Sequence, residues 1–217
     1  MPGRVYTPLL ELATDQYGYV STDDARELGV SPRRLKLLAE RGSLARVARG
    51  LYRFPPGVVP ISALDQYMEA TLLPGGRGVI SHETALAVYA LSDVSPIKVH
   101  VTVPRGYRIR RKDLPDVFVF HHADLTDAEM TRHERIPVVT PERAIRDAHA
   151  GHLGEALIAQ AIDDGERQGL LTKAHANALR QEIGCHGGFG DAPLSPLPPF
   201  PFDFLSRPSG YPDHDRP

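Results

Sequence analysis

Residues 19–54 read YVSTDDARELGVSPRRLKLLAERGSLARVARGLYRF. Ser21 is suited to cap a helix, and Asp23 and Asp24 then lie in its first turn, where acids oppose the helix dipole. Ala25 and Leu28 give that helix an inner face. Gly29 ends it as a C′ glycine, and Val30 plugs the turn. Ser31 caps a further helix with Pro32 at N1, where a missing N–H costs nothing. Leu35, Leu38 and Ala39 recur at i, i+3, i+4 as its buried stripe, and Gly42 stops it. Upstream, Leu9, Leu10, Leu12 and Ala13 predict a first helix, ended by Tyr17-Gly18. Downstream, residues 44–54 read as two short strands around Arg49-Gly50. Two helices joined by a short glycine turn and followed by a β-ribbon predict a winged helix-turn-helix.

Charge is distributed unevenly over this segment. From Ser31 to Phe54 there are seven basic residues and one acid, a net +6 in a chain of net −2. A phosphate-facing surface accounts for such an asymmetry. The predicted reading helix presents Ser31, Arg33, Arg34, Lys36 and Arg41, and the wing presents Arg46, Arg49 and Arg53. The N-terminal end of such a helix is where side chains meet base edges in the major groove. A small helical domain with a solvated basic face is the bland alternative.

The whole chain has 217 residues, one Cys and no Trp. A single cysteine, Cys185, excludes an intramolecular disulfide and a Cys-only zinc site. Met1–Leu10 lacks the apolar core of a secretory signal. The longest apolar run, Ala85 to Leu91, falls far short of the roughly 20 residues a spanning helix needs. A cytoplasmic protein without membrane association is expected. Arginine outnumbers lysine 21 to 4; a GC-rich genome produces the same bias, so arginine content alone argues nothing.

Pro55-Pro56-Gly57 breaks both helix and strand and reads as a linker. The expected division is a DNA-binding domain over 1–56, a mixed α/β domain over 57–184, and a Gly/Pro-rich tail over 185–217, disordered by composition. The class is therefore α+β. Within the second domain, Asp65–Leu73 reads as a helix. Ser81 caps a first turn that leads to an apolar helix over Ala85–Leu91. Lys98–Val103 and Val117–His121 read as strands. A polar helix-like stretch precedes His133-Glu134. Thr140-Pro141-Glu142 opens a helix, and Leu153–Gln168 and Lys173–Ile183 are amphipathic. Arg105, Arg108, Arg110, Arg111 and Lys112 form a second basic cluster, which suits either a solvated loop or a second DNA contact.

Gly-Val-Ser-Pro before the third helix and Arg-Gly-Leu-Tyr-Arg in the wing resemble the N-terminal domain of AbiEi-type antitoxins, of type IV toxin–antitoxin systems. Three later stretches are similar, in their order, to the AbiEi C-terminal domain: Ser-His-Glu-Thr-Ala-Leu, Val-His-Val-Thr-Val-Pro-Arg, and Ile-Pro-Val-Val-Thr-Pro-Glu-Arg-Ala-Ile-Arg-Asp. In all, the resemblance spans residues 8 to 183. It implies a transcriptional autorepressor that binds its own promoter as double-stranded DNA. It also implies a C-terminal domain that counteracts a co-encoded nucleotidyltransferase-like toxin, a phage-defence arrangement.

Catalytic chemistry finds little footing. A PD-(D/E)xK nuclease needs an acid two residues before a lysine, but Arg34, Pro96, Arg110 and Leu171 occupy those places. The only Asp-x-Asp, at Asp213 and Asp215, lies in the Pro-rich tail. Glycines 184–190 follow a helix rather than a strand, so they are not a dinucleotide loop. His82-Glu83 reads as a polar first turn, and His121 and His122 point to opposite faces of one strand. No catalytic residue, metal or cofactor is assigned. An atypical DNA-processing nuclease and a toxin-binding interaction module are the alternative functions.

Overall fold

A computed structural model of the chain describes residues 5–109 and 114–184. Arg110, Arg111 and Lys112 lie outside the described residues, as do Cys185 and the Pro-rich tail.

The N-terminal elements follow the local signals closely. They are α1 (Tyr6–Asp15), β1 (Tyr19–Ser21), α2 (Thr22–Glu27), α3 (Pro32–Glu40), β2 (Ala45–Ala48) and β3 (Leu51–Arg53). The Ser21 hydroxyl accepts from the Asp24 N–H, and the Asp24 carboxylate accepts from the Ser21 N–H. Two of the unsatisfied donors at the start of α2 are thereby paired reciprocally. At α3 the Ser31 hydroxyl accepts from the Arg34 N–H, with Pro32 in the first turn. Gly29 takes φ +72°. The chain can then turn so that the Val30 N–H reaches the Ala25 carbonyl at 2.7 Å. Leu35 is fully buried, while Leu38 and Ala39 are partly buried against the same cluster. The inner face of α2 departs from expectation. Leu28 is 41% exposed, because α2 ends at Glu27 and the following turn gives the interior place to Val30.

The wing is a three-stranded antiparallel sheet in the order β1-β3-β2. A register irregularity between Arg46 and Ala48 bends β2 before the Arg49-Gly50 turn. That turn is fixed against α2. The Gly50 carbonyl accepts from the Thr22 N–H at 2.9 Å. A Cβ on Gly50, at φ +75°, would meet the Thr22 hydroxyl at 3.0 Å. Glycine is required there on both counts.

The remaining chain forms α4 (Asp65–Leu72), β4 (Val79–Ile80), α5 (His82–Val88), β5 (Val99–Val103), β6 (Phe118–His122), β7 (Met130–His133), β8 (Ile136–Val139), α6 (Pro141–Ala150), α7 (Glu155–Arg167) and α8 (Lys173–Ile183). The strands make a mixed five-stranded sheet in the order β6-β5-β4-β8-β7. The apolar helix starts and ends about three residues earlier than predicted. Ala90, at φ +52°, takes a conformation a right-handed helix cannot continue through. The polar stretch before His133 is not helical. It is a 3-10 turn over Asp127–Glu129 that delivers the chain into β7. β4 is only two residues long and β8 contains Pro137, so neither carries a strand signal in sequence.

Two apolar clusters result, and the wing sheet stands between them. Val20 and Tyr52 belong to the smaller one, with Leu9, Leu35 and Phe54. Their strand neighbours Tyr19 and Leu51 belong to the larger one, with Ile80, Ile136 and Ile158. Alternation along a strand sends successive side chains to opposite faces, so one small sheet walls both cores. Polar contacts add to this join. The Tyr19 hydroxyl donates to Glu69 at 2.8 Å, and the Tyr17 hydroxyl donates to the Glu134 carbonyl at 2.8 Å.

Candidate functional site

Arg33, Arg34 and Lys36 stand exposed on the first half of α3, and Arg41 is exposed just past its end. Arg46 and Arg49 are exposed on the wing. Ser31 is exposed at the N-terminus of α3, with its hydroxyl engaged as the cap. Lys36 has a loose i,i+4 partner in Glu40, at 3.8 Å. Among the described residues, no carboxylate pairs with Arg33, Arg34, Arg41, Arg46 or Arg49. A surface of unopposed guanidinium groups around a helix N-terminus attracts anions and can contact either phosphate oxygens or base edges.

Arg53 leaves this set. Its guanidinium pairs with Asp65 at 2.6 Å, and the two side chains are only 12% and 13% exposed. It also donates to the Phe54 and Pro60 carbonyls and lies over the Tyr19 ring. Burial raises the Asp65 carboxyl above its usual range, and the Arg53 charge opposes that rise. Alternation along β3 turned this side chain inward, although the run of wing arginines suggested otherwise. Of the second basic cluster, Arg105 and Arg108 are exposed near the end of β5. The Arg105 backbone N–H is anchored by Asp124 at 3.0 Å.

A second constellation lies in the C-terminal sheet, and sequence reasoning missed it. His82, His100 and His121 each offer a ring nitrogen, and these atoms all lie within 4.8 Å of one another. β5 and β6 are parallel, with His100 opposite Val119 and Thr102 opposite His121. His100, Thr102 and His121 therefore share a face. His100 Nδ1 lies 3.0 Å from His121 Nε2. The His82 ring stacks on that of His121 with centroids 3.7 Å apart. His82 enters at φ +52°, a strained value for a residue that is not glycine.

Ser81 was expected to cap α5, but its side chain makes no cap bond. Its buried hydroxyl instead accepts from Thr102 at 2.8 Å and meets His82 Nδ1 at 2.9 Å. Burial, followed by the neighbouring His121, His100 and Arg143, pushes the His82 imidazole down to about 3. Burial likewise lowers His100 and His121; Lys98 adds to the first, and His100 adds to the second while Asp147 and Glu83 oppose it. Burial thus favours the neutral imidazole in all three, the form that ligates metal. No short spacing signals such a cluster. His82, His100 and His121 stand on three separate elements, and only the register of β5 and β6 with the β4–α5 junction unites them.

Residues 8–55 match the family model described as "Transcriptional regulator, AbiEi antitoxin". The match covers the helix-turn-helix and wing and ends where the Pro55-Pro56-Gly57 break begins. No curated protein matches the sequence. Among solved structures, the chain is similar to the RV2827C protein from Mycobacterium tuberculosis. That likeness covers 83% of this chain and 72% of the other, at 16% identity and a TM-score of 0.44.

Proposed function

We propose, for a chain whose residues 8–55 are of the AbiEi antitoxin transcriptional-regulator type, that it binds double-stranded DNA at its own promoter and represses its operon. α3 reads the major groove and the wing follows the phosphates. Arg34, the N3 residue of α3, faces away from the buried Leu35 and reaches a base edge. Arg33, Lys36 and Arg41 support it, and Arg46 and Arg49 contact backbone. Ser31 fixes the start of the reading helix. Arg105 and Arg108 are candidates for an additional contact.

The single observation that carries this reading is that, among the described residues, no carboxylate pairs with Arg33, Arg34, Arg41, Arg46 or Arg49, whereas Arg143, Arg146 and Arg180 are each held by two. Leaving five like charges unneutralised side by side stabilises nothing in the free chain, but it suits a polyanion. The antitoxin role, neutralisation of a co-encoded nucleotidyltransferase-like toxin, follows from the family likeness and belongs to the same proposal.

The test is a titration of the full chain on the duplex upstream of its reading frame and on a shuffled duplex, at several salt concentrations. The expected result is preference for the native duplex and a log-affinity slope of about −0.9 per phosphate contact. Affinity that stays flat with salt removes the basic surface from the reading. Co-expression with the neighbouring toxin-like reading frame tests the antitoxin role: growth rescue is expected, and unrelieved toxicity refutes it.

A further inference from the structure

We propose that His82, His100 and His121 bind one divalent first-row transition ion of the zinc class, through one ring nitrogen each.

The donors fit that class. Imidazole nitrogens suit zinc, copper, iron and nickel rather than magnesium or calcium. In a tetrahedral site with bonds of about 2.0–2.1 Å, donor atoms stand roughly 3.3 Å apart. His100 Nδ1 and His121 Nε2, at 3.0 Å, are already within a few tenths of an ångström of that edge. Two neutral imidazole nitrogens can face each other so closely only by sharing a proton, and a cation takes the proton's place. The Ser81 contact engages His82 Nδ1, which leaves Nε2 as its ligating atom. His82 closes the site by tilting out of its stack on His121, so the ring pair is the part that moves.

Three further observations point the same way. The positive φ of His82 is strain held by the surroundings, and such strain concentrates where a side chain must be aimed. Ser81 and Thr102, both buried polar residues, are spent on orienting His82 rather than on capping α5. Hydrogen bonds behind a ligating histidine fix its tautomer and direction in metal sites. Finally, Asp147 is buried, and its Oδ2 has no hydrogen-bond partner among the described residues. Its Oδ1 is held by Arg143 at 2.7 Å, and its charge acts on His121. Asp147 is not one of the converging ligands; its carboxylate supplies negative charge beside the His121 ring. Three neutral imidazoles with one carboxylate charge close by suit a divalent ion.

Metal binding is measured on the full chain without an affinity tag and without DNA, so its outcome is independent of the promoter reading. Cobalt(II) is the spectroscopic probe and zinc(II) the competitor. The expected result is one Co2+ per chain with the visible bands of a tetrahedral site, displaced by one equivalent of Zn2+. His100→Ala and His121→Ala each lower the affinity on the order of 100-fold, and Asp147→Asn by about 10–100-fold. His122→Ala, whose exposed ring lies outside the cluster, leaves it unchanged. Zinc raises the melting temperature of the native chain, because an ion that binds only the folded state stabilises it. A variant that fails to fold by circular dichroism is replaced by His100→Gln or His121→Gln, which keep the bulk of the ring site. Absence of tetrahedral cobalt bands in the native chain overturns the proposal, as does binding that survives both His100→Ala and His121→Ala.

Discussion

The arginines of α3 and the wing turn and the arginines of α6 and α8 are the same residue in opposite situations. Arg143 bridges Glu129 at 2.5 Å and Asp147 at 2.7 Å. Arg146 bridges Glu142 at 2.8 Å and Glu182 at 3.0 Å, and Arg180 bridges Asp163 at 2.6 Å and Glu166 at 3.0 Å. Each of these guanidinium groups ties two elements or two turns together. Among the described residues, Arg33, Arg34, Arg41, Arg46 and Arg49 have no such partners. Positive charge on α6 and α8 is structural mortar, whereas on α3 and the wing turn it is left available. Arg53 belongs to the N-terminal segment by sequence and to the C-terminal kind by structure.

The join between the regions gives the largest expected effect. A fragment ending at Pro56 loses Asp65 and uncovers Tyr19 and Leu51 on the outer face of the wing sheet. Burying a side chain such as Leu51 contributes roughly 1.5–3 kcal/mol. The fragment should unfold at much lower urea than the full chain. A fragment of equal stability would show that the break after Phe54 separates independent units and that the shared wall carries little energy. Within the full chain, Arg53→Ala leaves the nearly buried Asp65 without its counter-charge, held only by the Ser62 N–H, and should cost about 3–5 kcal/mol. Arg49→Ala should leave the urea midpoint unchanged, and equal losses for the two variants would erase the distinction between paired and available arginines.

Binding effects come next in size. Arg34→Ala should cost roughly 1–3 kcal/mol on the promoter duplex and much less on shuffled DNA, because a base contact is lost. Equal weakening on both duplexes would move the reading role away from α3. Arg49→Ala should weaken both duplexes alike and make the salt slope shallower by about one unit, as loss of a phosphate contact does. A slope that does not change would place the wing turn off the DNA.

The smallest effect lies among the paired carboxylates. The Thr126 backbone N–H, the Arg143 guanidinium and the Thr126 hydroxyl hold Glu129 down to about 2. A depressed carboxylate contributes stability that is complete above its ordinary value near 4.5 and is lost as pH falls toward 2. Glu129→Gln should therefore lower the urea midpoint at neutral pH, by an amount worth about 1 kcal/mol or less after solvent screening. The difference between variant and native chain should shrink below pH 4.5. A constant difference from pH 7 to pH 3 would mean that the ionised carboxylate is not what stabilises this turn.

The winged segment was legible because its information is local. Ser21, Gly29, Ser31, Pro32 and Gly42 each dictate backbone geometry within a few residues, and Leu35 needs only the helical period to be placed inside. Two exceptions, Leu28 and Arg53, fall where a helix ends and where a strand turns one face inward, and a single residue of phase decides both. The C-terminal helices were legible for the same reason, through the Thr140-Pro141 start and the apolar periods of α7 and α8.

What sequence by itself determined is thus the α+β class, the helix-turn-helix, the wing and the charge they carry. What only tertiary structure decided is which charges are spent and which side chains from distant elements meet. The mixed sheet depends on pairings such as Ile80 with Val138, and β4 and β8 are too short or too irregular to announce themselves. The histidine cluster depends on parallel register between β5 and β6 and on a strained residue at the head of α5. Caps, turns and periodicity are set by interactions a few residues apart. Register, ion-pair partners and convergent ligands are set by free energies summed over the whole core, and no local pattern encodes them.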